Sequence, residues 1–135
     1  MNSQSRRALV ALAVFVILWI PFLNQPIGLE TRPLLSKGMT VYDASTFGLS
    51  LILGLLSFPL IWKRPRLGAI TGILAAILYI IGVPLDYLGL DVTGLSPPFW
   101  VFFFELVEIP VAVVLAFLCY RTYFAARSER ARPAS

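Results

Sequence analysis

The sequence predicts an all-α integral membrane protein: a bundle of four transmembrane helices with both termini cytoplasmic, forming one membrane domain over residues 1–135. Three observations predict it. The chain is 59% hydrophobic and only 13% charged, about half the ~25% charged share of a soluble domain. The charges cluster, and the apolar stretches between clusters approach the ~20 residues that cross a bilayer as helix. The basic residues also fall overwhelmingly on one side of a four-span arrangement, as cytoplasmic loops do.

The first span covers about residues 8–23, "ALVALAVFVILWIPFL". Arg6 and Arg7 ahead of it would suit a signal peptide, but "WIPFLNQP" offers no small-x-small cleavage site, so a retained span is expected. It has no polar residue between Arg7 and Asn24 and is expected to face lipid or to pack through Ala8, Ala11 and Phe15. A turn-rich segment follows, in which Thr40 and Asp43 have the spacing of a capping box. The second span covers about residues 43–62, and "KRPR" at 63–66 is a tight basic turn. The third covers about residues 67–84. A short acidic loop with Asp86 and Asp91 leads to Ser96-Pro97, which suits a helix cap with proline in the first turn. The fourth covers about residues 97–120, and residues 121–135 read as a loose basic cytoplasmic tail.

Arg6, Arg7, Lys63, Arg64, Arg66, Arg121, Arg127, Arg130 and Arg132 share one side, and only Arg32 and Lys37 lie on the other. Aromatic belts follow the same division: Trp19, Tyr42, Tyr87 and Trp100 at the outer interface, Trp62, Tyr120 and Tyr123 at the inner one.

Helices in lipid approach through small residues and interhelical hydrogen bonds. Gly68, Gly72 and Ala76 recur every four residues in the third span, with Tyr79 continuing the stripe. Ser50, Gly54 and Ser57 share a face of the second. Gly54, Gly68, Gly72 and Ala76 are therefore the expected packing positions.

Chemistry is scarce. The chain has no histidine and one cysteine, Cys119, which excludes histidine-ligated metal or haem, histidine general bases, disulfides and Cys-x-x-Cys redox pairs. A net charge of +4 does not signal nucleic acid, because the basic residues flank apolar spans. No cofactor and no metal set is indicated. No nucleophile or cofactor motif accompanies the acids, so an enzyme is not expected.

The exception is "FFFELVEIPV" at 102–111, where Glu105 and Glu108 share a helix face within an apolar run. About fourteen Leu, Ile, Phe and Val residues in the fourth span favour insertion by roughly 6 kcal/mol, and two charged acids cost roughly 5–7. The acids must then be protonated, or face protein, water or a bound cation. Pro110 cannot donate to the Leu106 carbonyl, which could join the carboxyls in an oxygen cluster. Counting inward from the span starts at 1.5 Å per residue puts Ser50, Tyr79 and Glu105 at similar depth.

The candidate site for a proton, a cation or a partner is therefore Glu105, Glu108, Tyr79 and Ser50. Two functions suit it: a binding or transport-type bundle, or an accessory subunit whose acids dock onto a partner's basic residue. The expected partners are the lipid bilayer and either a second copy or another membrane subunit. The cell membrane is the expected location.

Reporter fusions test the topology. A fusion at Ser135 should report a cytoplasmic end and one within residues 28–38 an external loop; the reverse at either position refutes the four-span arrangement.

Overall fold

The computed structural model describes residue 1 and residues 3–20, 44–87 and 99–131. The capping pairs at Thr40–Asp43 and Ser96–Pro97, and the belt position Tyr42, lie outside the described residues. Among those described there are four α-helices and no strand: α1 (Ser3–Leu18), α2 (Leu49–Lys63), α3 (Pro65–Tyr87) and α4 (Phe99–Ala131). A π-helical turn, Ala44–Gly48, leads into α2. Three segments are long and apolar enough to cross a membrane: Thr46–Lys63, Pro65–Pro84 and Phe103–Ser128.

The distribution of polarity agrees with a membrane-embedded protein. Val10, Ile52, Leu55, Ile81, Phe103, Leu106 and Phe117 are all at least half exposed, while Ser50, Ser57, Glu105, Glu108 and Thr122 are buried. A water-soluble fold has the reverse arrangement. Here the outward face is apolar, as lipid requires, and the polar groups have turned inward.

Each helix buries a seam with alternating steps of three and four residues. In α1 it is Ser5, Ala8, Leu12 and Phe15, in α2 Ser50, Gly54, Ser57 and Ile61, and in α4 Glu105, Glu108, Ala112, Leu115 and Cys119. This 3.5-residue spacing is the one that keeps a side-chain row facing neighbouring helices. Helix α1 packs against α4 and α2, α2 against α3, and α3 against α4. Contacts run in reverse order along adjoining helices. Phe47 meets Gly82 and Ser57 meets Thr71, so α2 and α3 are antiparallel. Gly72 meets Cys119 while Tyr79 faces Glu108, so α3 and α4 are antiparallel too.

The "KRPR" turn is tighter than its four residues suggest. Arg64 alone separates α2 from α3. Its N–H donates to the Leu60 carbonyl, and its own carbonyl accepts from Gly68. Pro65 suits the first helical position, where no N–H is needed. Gly68 makes the corner possible, since a Cβ there would run into the backbone of Ile61.

Two expectations are corrected. Residues 121–131 are not loose, because α4 continues to Ala131. The buried seam runs on through Thr122 and Ala126, and the Thr122 hydroxyl donates to the Leu118 carbonyl. Trp19 is not a belt residue. It is 4% exposed, because its ring packs inward against Phe15, Phe47 and Tyr79.

The glycines give an ordered test. A Cβ at Gly72 would stand 2.7 Å from Cys119 Sγ, whereas one at Gly54 would make ordinary contacts of 3.5 Å or more. Gly68→Ala should cost most, since backbone must move. Gly72→Ala should cost about 1–3 kcal/mol and be relieved by Cys119→Ala. Gly54→Ala should be neutral or stabilising, because alanine loses less entropy in a helix. Thermal unfolding in detergent reads the series, and equal effects at all three positions would refute this packing.

Candidate functional site

Helix α4 places Glu105 and Glu108 in the first two positions of its buried seam, 4% and 0% exposed. Glu108 faces Tyr79 of α3, and the Glu105 carboxyl is close enough for its charge to act on Glu108. Neither Glu108 oxygen completes a hydrogen bond of standard geometry among the described residues. The structure thus brings together Glu105, Glu108 and the Tyr79 hydroxyl: two carboxyls and one phenol on adjoining antiparallel helices.

Tyr79 is held there by its ring, which makes edge-to-face contacts with Phe15, Trp19 and Phe47. Phe15 and Phe47 also meet Trp19, and every centroid separation lies between 5.5 and 6.4 Å. Such geometries are favoured by the aromatic quadrupole and are worth about 0.5–1.5 kcal/mol per pair beyond area burial. The cluster draws on α1, the π-turn and α3, and the Tyr79 hydroxyl carries the contact onward to α4.

Ser50 has a different role from the one its depth suggested. Its hydroxyl donates to the Ala75 carbonyl at 2.7 Å and ties α2 to α3. A second polar tie lies a few turns along, where Ser57 and Thr71 hydroxyls are 2.8 Å apart. Ser50 therefore buttresses the helix that carries Tyr79. Gly72 and Ala76 flank the same face, and Ala76 is fully buried.

The depth count paired Tyr79 with Glu105, and Glu108, one turn further along α4, faces Tyr79 as well. Counting Cα positions ignores side-chain lean. Helical side chains tilt toward their own N-terminus. Because α3 and α4 are antiparallel, Tyr79 and Glu108 tilt toward each other, which closes the offset of one helical turn. Pro110 does not extend the oxygen cluster as expected. Pro110 and Leu106 both lie on the exposed face of α4, so the carbonyl freed by the proline opens away from the carboxyls.

The aromatic partners Phe15, Trp19 and Phe47 were not legible as site residues. The signal available was the three–four spacing that puts Phe15 and Trp19 on one seam of α1. Among the described residues, no group of three or more Cys, Asp or Glu side chains converges as a metal site. No protein-family model matches the chain, and no curated protein or solved structure is significantly similar to it.

A double-mutant cycle measures the central contact. Tyr79→Phe keeps the ring and removes the hydroxyl, and Glu108→Gln keeps the shape and removes the acid. Their coupling in thermal stability should fall in the range of about 0.5–3 kcal/mol typical of touching groups. Strict additivity would mean that the hydroxyl and carboxyl do not interact.

Proposed function

We propose that this chain is a four-span bundle in the cell membrane, with both termini cytoplasmic, whose paired carboxyls bind a proton, a small cation or a small polar ligand in a transport-type role. In this reading α1 is the fourth span, and its exposed Val10, Val14, Ile17 and Ile20 face lipid.

One observation carries the proposal. Glu108 is fully buried, its oxygens make no standard hydrogen bond among the described residues, and a second carboxyl and a phenol stand beside it. A carboxylate isolated from water costs several kcal/mol unless something compensates its charge. The basic residues within the three apolar segments are Lys63, Arg66, Arg121 and Arg127, each more than ten residues along its own helix from Ser50, Tyr79 or Glu108. A proton shared between the acids, or a cation held between them, supplies the compensation, and Tyr79 can donate to whichever oxygen remains charged.

The alternative is an accessory subunit whose acids dock onto a partner's basic residue. The burial of both acids within a single chain favours the first reading, because neither carboxyl is offered to a partner on the outward face of α4.

Glu108→Gln separates the two. Unfolding of the purified wild type should respond to pH or to added sodium or potassium, with a gain of about 2.7 kcal/mol at a cation concentration roughly a hundred times Kd. Glu108→Gln should fold with the same helix content and lose that response. A wild type indifferent to both protons and cations would sink the proposal, and loss of a co-purifying subunit in the variant would support docking.

A further inference from the structure

A second polar site lies at the other end of the α2–α3 pair. Lys63, Arg64 and Arg66 converge with Tyr123 of α4 around a cavity of about 780 Å³, whose wall continues into Leu67 and Ile70. Among the described residues no acidic side chain lines it. Arg66 Nε is buried and has no hydrogen-bond partner among the described residues. Three cations drawn together at a one-residue turn repel one another unless an anion joins them.

The position identifies the anion. One apolar segment ends at Lys63 and the next begins at Pro65, so the cavity sits at the boundary of the apolar layer whichever way the chain is oriented. Trp62, 71% exposed, stands beside it with the amphipathic character that suits head-group depth. Leu67 and Ile70 are 45% and 41% exposed and continue from the basic mouth down the outer face of α3. A cationic mouth above an exposed apolar wall matches a molecule with a phosphate at one end and acyl chains at the other.

We propose that this corner binds the phosphate-bearing head group of an anionic phospholipid, with Lys63, Arg64 and Arg66 on the phosphate, Tyr123 as a hydroxyl donor, and an acyl chain along Leu67 and Ile70. The site is separate from the carboxyl centre and does not depend on what that centre binds.

The test uses the purified full chain in detergent, titrated with phosphatidylglycerol, phosphatidylcholine or inorganic phosphate and read by native mass spectrometry and thermal unfolding. Phosphatidylglycerol should bind most tightly. At about 1 kcal/mol for each basic residue, the Lys63→Gln/Arg64→Gln/Arg66→Gln variant should bind it roughly a hundredfold more weakly. Arg6→Gln/Arg7→Gln, which alters a different basic pair, should bind it as the wild type does. Should the triple variant fail to fold, Arg66→Gln alone carries the test, with an expected loss of about fivefold. Unchanged phosphatidylglycerol binding in the folded variant overturns the proposal. So does equal binding of phosphatidylcholine, which would mean an apolar surface only. Equal stabilisation by inorganic phosphate would assign the site to free anions and not to lipid.

Discussion

Tyr79 is the side chain through which all the helices meet. Its ring touches Phe15 of α1, Trp19 just past the end of α1 and Phe47 at the mouth of α2, and its hydroxyl faces Glu108 of α4. In lipid, helices gain little from hiding apolar surface from one another, because the solvent is equally apolar. What discriminates one arrangement from another is shape and polar contact, and Tyr79 supplies both. The rings fix how α1 and the π-turn sit on α3. The hydroxyl gives α4 a reason to present its acidic seam to α3 and not to lipid.

The other polar groups work within that frame. Ser50 and Ser57 secure α2 to α3 through short hydrogen bonds, and Gly68 and Gly72 let backbones approach where any larger residue would intrude. Beyond these ties lies a carboxyl pair that no small-residue packing requires. The rest of the described interior is filled by small residues, rings and aliphatic side chains such as Leu12, Ile61, Val83 and Leu115, all compatible with a close-packed core. Glu105 and Glu108 are the groups whose burial carries a cost that needs a counterpart, and the proposed site rests on that cost.

The apolar segments, the packing glycines and the inward acids were legible in the sequence because lipid imposes simple rules on length, small residues and charge. The bond from Ser50 was not, since its acceptor is a backbone carbonyl that every residue carries. Trp19 was misplaced because tryptophan suits both an interface and an aromatic core, and only the neighbouring rings decide. The approach of Glu108 to Tyr79 turned on side-chain lean, which a count of residues omits. The helical extension past Tyr120 was hidden by its charges, although Thr122 and Ala126 continue the three–four spacing of the seam.

The one-residue joint at Arg64 has a mechanical consequence. With Gly68 against the backbone of Ile61 at one end and the Ser50–Ala75 bond toward the other, α2 and α3 form a stiff lever. Relative motion of this pair is blocked at its pivot. Any movement of the other helices is therefore movement against α2 and α3 as one body.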